Sequence, residues 1–246
     1  MTELRYLPDS DDVYAFTADV VAASEKEILL DGTYFYPVGG GQPADHGVIS
    51  WDGGEAQVTN VRKDHGDVRH ALGSVTGHLP NPGDSVRGQI DSHRREQLSR
   101  MHTAQHVVSR VVLDKYGGET AGNQIHTDRS RIDFSGVSFD ADDLKAIEES
   151  ANNAIRQDLP VEKTFKPRAD VEARTADGRS QLSLIPASVD PLRVVAVPGF
   201  DFCPCGGTHV NSLGEIGPIE ITDRSSKGAG VDRIEFVLDS PVGNRR

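Results

Sequence analysis

The chain has 246 residues and a formal net charge of −12, enough length for one large domain or two modest ones with real cores. Such acidity speaks against a broad nucleic-acid face held by counterion release, so any nucleic-acid contact must use a local basic patch. No apolar run approaches the ~20 residues of a membrane span, and the opening MTELRYLPDSDDVYAF lacks the layout of a secretory signal, so a soluble, cytoplasmic protein is expected.

Residues 1–91 read as a β-rich domain. Short alternating stretches, VYAFTADVVAA, KEILLDG, HGVISWDG, AQVTNVRK and DSVRGQID, are separated by Gly, Asp and Pro turns, the texture of a small β-barrel. Within them lies DGTYFYPVGGGQPADHG, residues 31–47. Its three glycines are no phosphate-binding P-loop, because no Gly-Lys-Ser/Thr follows. They are no dinucleotide fingerprint either, because a proline and a strand-like run follow where a helix would be needed. The three aromatics Tyr34, Phe35 and Tyr36 suggest a strand anchoring a loop whose bare backbone can approach a ligand; a simple mobile turn is the plainer alternative.

At residue 92 the pattern changes, and residues 92–246 read as an α+β domain. DSHRREQLSRMHTAQHVVSRVVLDKYGG opens on a capping Asp-Ser and closes on a glycine pair, with Leu98, Met101, Ala104, Val108, Val111 and Val112 at helical spacing. A second helix is expected over residues 140–159, ended by Pro160, and RSRIDFSG, PVEKTFKP, PLRVVAVPG, GPIEITDRS and VDRIEFVL read as strands.

On the first helix His102 and His106 are four residues apart and so share a face, off the centre of the apolar stripe. That spacing lets two imidazoles reach one ion, whereas a lone histidine would more simply be a satisfied core residue. A metallopeptidase needs glutamate directly after the first histidine, and Thr103 stands there. Far along the chain, CGGTHV supplies Cys205 and His209, with Gly206 and Gly207 free to curl the loop. Two nitrogens from a helix with a sulfur and a nitrogen from a loop form a tetrahedral set suited to Zn²⁺. Cys203, too close to Cys205 for an unstrained disulfide, is a competing ligand. Four protein ligands describe a closed structural zinc, while a catalytic one keeps a position open, so both roles stay possible.

Together HTAQH, CGGTHV, TYFYPVGGGQPADHG, RIDFSG and KGAGVDRIEF resemble the free-standing alanyl-tRNA editing proteins (AlaX), which are similar to the editing domain of alanyl-tRNA synthetases. The motifs run in family order over nearly the whole chain, and CGGTHV with GGGQPADHG is the specific part of the match. The resemblance implies a deacylase that hydrolyses the ester of tRNA(Ala) mischarged with serine or glycine. It implies a zinc ion held by His102, His106, Cys205 and His209, and no charging activity. It places Thr33 where the serine hydroxyl is distinguished, with Gly39, Gly40, Gly41 and Gln42 of the glycine-rich segment and Gln105 and Gln124 also at the substrate. Gln105 departs from the family, in which synthetase editing domains often carry threonine. The bottom-up chemistry agrees. An aminoacyl ester is already activated, so a positioned water and a stabilised oxyanion suffice. A site that hydrogen-bonds the serine hydroxyl can spare alanine, which an apolar pocket cannot do well. Arg94, Arg95, Arg100, Arg110, Arg224, Lys227 and Arg233 are the expected contacts of the tRNA acceptor end, against the plainer reading of a solvated charged face. The competing function is a non-catalytic tRNA-binding module with a structural zinc; a zinc hydrolase of another acyl ester is the third.

Overall fold

The computed structural model describes residues 1–7, 9–175, 182, 185–228 and 230–239. They divide into two units, Met1–Glu96 and Gln97–Arg246.

In the first unit, six antiparallel strands close a barrel: β2 (Ala15–Ala23), β3 (Glu27–Leu30), β5 (Gly47–Trp51), β6 (Gly54–Asp64), β7 (Asp67–Gly77) and β8 (Ser85–Ile90), in the order β2-β3-β7-β6-β5-β8. Alternation drives the closure. Along β2 and β8 every second side chain is buried, and Phe16, Val20, Ile28, Leu30, Ile49, Val61, Val86 and Ile90 fill the interior. Burying each such large apolar side chain stabilises by roughly 1.5–3 kcal/mol. Register shifts at Ala56/Val58 and Val58/Asn60 bend the long β6–β7 hairpin around the barrel. A short parallel pair, β1 (Glu3–Leu4) with β4 (Gly32–Thr33), accompanies it. The β7 strand was not expected. It turns His70 fully into the interior, so a polar residue interrupts the apolar alternation that would have marked the strand. The aromatic run Tyr34–Tyr36 is also not a strand. Strand structure ends at Thr33, and Phe35 and Tyr36 are buried from a non-repetitive segment.

The second unit is built around α1 (Ser92–Tyr116), whose first turn lies in the preceding unit. Asp91 caps α1 by accepting from the Arg94 backbone N–H at 3.1 Å, and Gly117, at φ +68°, ends it. Residues 101–109 are buried on every side, polar ones included, so α1 is a central helix rather than an amphipathic surface one. An antiparallel sheet runs β14-β15-β10-β9, comprising β9 (Glu119–Ile125), β10 (Ser130–Ser135), β14 (Ile219–Gly228) and β15 (Val231–Leu238). Here α2 (Ala141–Arg156) shares a core with α1 and the sheet through Ile147, Ala151, Ala154 and Ile155. Its capping box joins Asp140 and Asp143. The helix stops at Arg156, short of the expected Leu159, where Asp158 takes φ +48° and accepts from the Gly214 N–H. A second sheet, β11 (Glu162–Lys166), β12 (Leu192–Val197) and β13 (Asp201–Pro204), carries the short α3 (Arg168–Arg174). Neither α3 nor β9 was foreseen from the sequence. Among the described residues no helix is long and apolar enough to cross a membrane.

Candidate metal centre

His102 and His106 lie on consecutive turns of α1, and Cys205 and His209 follow β13. One ligand atom from each lies within 4.8 Å of all the others. The Cys205 sulfur is 3.5 Å from His102 Nε2 and 3.3 Å from His209 Nε2. The three imidazoles sit with ring centroids 4.4–5.2 Å apart, and all three histidines are buried. Burial pushes the Cys205 thiol up, but the charges of His102, His209 and His106 outweigh it and hold the thiol well below its ordinary value. Burial, reinforced by His102, holds His209 well below the usual histidine range. One sulfur and three imidazoles converging on one point could hold a metal ion.

The surroundings fix these donors. Thr103, in the place of the metallopeptidase glutamate, donates its hydroxyl hydrogen to the Ser99 carbonyl at 2.8 Å. Its oxygen is therefore the acceptor at 3.1 Å from His209 Nδ1, which puts the His209 proton on Nδ1 and turns a bare Nε2 toward Cys205. The same oxygen accepts from the Val210 N–H. Ser99 Oγ holds the neighbouring Thr208 hydroxyl at 2.8 Å. Buried Arg193, on β12, donates to the carbonyls of Cys205 and Gly207 at 2.9 and 2.8 Å, and the Gly207 N–H reaches the Cys205 sulfur at 3.4 Å. The ligand loop is thus wrapped around a guanidinium. Gly206 and Gly207 were expected to curl it by their conformational freedom, yet neither takes a left-handed backbone. Asp201 Oδ2 stands 3.7 Å from His106 Nδ1, within electrostatic reach but beyond hydrogen-bond length. Cys203 lies on β13 opposite Val195, outside the four-donor group.

A family model described as the threonyl and alanyl tRNA synthetase second additional domain matches residues 192–235, which include Cys205 and His209. Another, for class II (A) tRNA synthetases, matches residues 10–94. The alanine–tRNA ligase of Methanopyrus kandleri is 38% identical over 242 residues, 96% of this chain but 26% of the ligase. The alanyl-tRNA editing protein AlaX-M of Methanosarcina acetivorans is 36% identical over 244 residues, covering 97% of this chain and 99% of that protein. The chain belongs to the alanyl-tRNA editing protein family. AlaX-M of Methanosarcina barkeri is likewise 36% identical, over 242 residues and 99% of its length. This member of the family spans about a quarter of the ligases it matches and nearly all of the editing proteins.

The other residues expected at the substrate are placed as follows. The family's glycine-rich segment is a rigid hairpin. Gly39 and Gln42 exchange backbone hydrogen bonds of 3.1 and 2.9 Å across Gly40 and Gly41, whose φ values of +58° and +82° make a type I′ turn. Tyr36 and Asp45 close its base, each backbone N–H held by the other residue. The three glycines are exposed at the tip, whereas Gln42 is fully buried. Thr33 is fully buried too, and its hydroxyl is already engaged. His70 Nδ1 lies 3.1 Å from the Ile28 carbonyl and so carries the proton. Thr33 therefore donates to His70 Nε2 at 2.8 Å and accepts from the Phe35 N–H at 3.1 Å. Burial lowers the His70 pKa to about 4, keeping the ring neutral.

Gln105 donates to Ser109 at 2.9 Å and accepts from Asn123 at 3.2 Å, tying α1 to β9. Asn123 and Ile125 of β9 face α1, so Gln124 between them points to the opposite face of the sheet, opposite Arg131. The structure does not bring Gln124 to the donor group. Of the expected basic patch, Arg95 alone is corrected, because it has no exposed surface to offer. Arg95 is fully buried in an ion pair with Asp45 and donates to the Asp11 and Tyr34 carbonyls. Arg94 donates to the Ala44 carbonyl and Arg100 to those of Ile216 and Asp239. Arg110, Arg224 and Arg233 pair with Asp114, Asp232 and Asp133, and Lys227 is exposed.

Proposed function

We propose that the protein is a trans-editing aminoacyl-tRNA deacylase of the cytoplasm. Its substrate is tRNA(Ala) mischarged with serine or glycine, and its cofactor is a zinc ion held by His102, His106, Cys205 and His209. Support for the ion is the donor set: Zn–S near 2.3 Å and Zn–N near 2.0 Å at a tetrahedral angle separate sulfur from nitrogen by about 3.5 Å, beside the 3.5 and 3.3 Å found. When bound, zinc acts as a Lewis acid toward the ester and its amino acid. The chain's own part is orientation. Thr103 holds the His209 tautomer, Arg193 holds the loop that presents Cys205, and the buried walls exclude bulk water from a reactive ester. In the barrel domain, the exposed tip Gly39–Gly41 is the part we assign to the substrate. Thr33, with both hydroxyl functions engaged, is assigned to holding that segment's base through Phe35.

The observation that carries this reading is the gathering of three imidazoles and a cysteine sulfur, from two segments about 100 residues apart in sequence, in a chain of the editing family. The test is deacylation of serine, glycine and alanine esters on one tRNA(Ala), with and without a chelator. Serine and glycine esters are expected to disappear, alanine to be spared, and chelation to stop turnover. Ester loss no faster than background with metal-loaded protein favours the non-catalytic tRNA-binding module.

A further inference from the structure

The second unit contains a cleft of about 360 Å³, near the lower end of the roughly 300–1,000 Å³ in which small ligands are held. Its floor is the hairpin between β12 and β13, where Pro198 and Gly199 (φ +75°) form a tight turn closed by the Phe200 N–H on the Val197 carbonyl. Arg110 of α1 and Arg174 of α3 bring two guanidiniums to it, Glu162 and Asp201 two carboxylates, and Phe200 and Phe202 two rings. The Arg174 guanidinium carbon lies over the Phe202 ring, 4.2 Å from its centroid.

This combination selects a ligand class. A bare anion would meet two carboxylates as well as two cations, and an apolar ligand would strand all four charges. A nucleoside with one phosphate uses the exposed parts: a flat base for the Arg174–Phe202 platform, sugar hydroxyls for Glu162, and a phosphate for a guanidinium. The cleft also adjoins the donor group, because Asp201 lines it and stands 3.7 Å from His106. Resting on the deacylase reading, we infer that this cleft seats the 3′-terminal nucleotide of the aminoacyl-tRNA, with Arg174, backed by Phe202, stacking the base and Arg110 turning from Asp114 to the phosphate, so that the ester is directed toward His106. It takes Arg110 from the expected basic patch and adds Arg174, which no motif indicated.

The test uses the full chain with Arg174→Ala and Arg110→Ala. Arg174 is exposed and the partner of Arg110, Asp114, can be solvated, so wild-type melting temperatures are expected. Binding of a CCA trinucleotide is followed by ligand-observed NMR, and deacylation of Ser-tRNA(Ala) by its kcat and KM. Each variant is expected to weaken trinucleotide binding and raise KM by about tenfold, the size of one lost base stack, with kcat within about twofold. Arg110→Ala should also lower the salt dependence of binding by about one phosphate's worth. Wild-type trinucleotide affinity and KM in both variants, alongside normal wild-type turnover, overturn the assignment and spare the deacylase reading. A wild type that binds the trinucleotide through these arginines yet hydrolyses no mischarged tRNA supports the cleft and sinks the deacylase.

Discussion

Both halves of the molecule bury polar side chains, but they do so to opposite ends. In the first unit, three buried polar side chains find partners within the same fold: Arg95 meets Asp45, and Thr33 and His70 meet each other and the backbone. Such a network consumes its own hydrogen-bonding capacity and has little left for a ligand. Around α1 the outer nitrogen of His209 is satisfied by Thr103, while inward nitrogens and a sulfur are aimed at one another. Lone pairs gathered face to face repel unless a cation joins them. Closed pairing marks a structural element; donor atoms converging on one point mark a binding site.

The contrast is broken most severely at Arg95. Arg95→Ala leaves the Asp45 carboxylate buried without its partner, which costs about 3–5 kcal/mol, and urea unfolding should show it. Replacing both partners, Arg95→Met with Asp45→Leu, should recover most of that loss, because an apolar pair of similar size is often neutral. A cost under about 1 kcal/mol for the single variant would mean that the barrel's network is not closed.

His70 tests the same network through pH. Its folded pKa of about 4 lies below the ordinary 6.5, so the unfolded chain binds the extra proton between those values. Stability from this residue is therefore complete above about pH 6.5 and lost as pH falls toward 4, by about 3 kcal/mol. Denaturation midpoints of wild type and His70→Gln should converge across that window. Parallel pH profiles would show that His70 already carries its proton in the folded barrel.

These networks also explain what could be read in the sequence. The barrel strands with apolar inward faces, the two long helices and the His102/His106 pair are legible because each is a periodicity within one segment. β7 and β9 were missed for a common reason. Their inward positions carry His70 in one and Thr120 and Asn123 in the other, polar groups matched by partners from remote segments. The short α3 starts at Pro167 with no side-chain cap, so nothing local announces it. Arginine is by habit a surface residue, so Arg95 reads as a tRNA contact or a solvated charge, and nothing in the sequence singles out Arg193, until the chain folds their partners around them. Thr103 was read for the glutamate it replaces; its bond to His209 spans 106 residues and leaves no local pattern.

On the metal side the comparison is sharpened by Thr103→Val, which keeps the shape and removes the acceptor for His209 Nδ1. Loss of such an outer partner weakens metal affinity by about 10–100-fold, measurable by competition with a zinc chelator. Thr103→Ser keeps the oxygen and should restore affinity. Equal affinity in all three proteins would show that the His209 tautomer needs no support.

The smallest effect is expected at Gly41, and it asks whether the glycine-rich tip is built for shape or for contact. At φ +82° an added methyl strains the backbone by about 1–2 kcal/mol. That strain falls on a turn held by the two Gly39–Gln42 backbone bonds and braced by the Tyr36 hydroxyl on the Gly39 carbonyl. Gly41→Ala should therefore lower the melting temperature by a few degrees while leaving zinc affinity unchanged, because none of the four donors belongs to this segment. If the exposed tip meets the substrate, kcat/KM on Ser-tRNA(Ala) falls by more than that strain accounts for, and the excess persists well below the melting transition. A loss of activity that follows the unfolded fraction alone would return the three glycines to a purely architectural role.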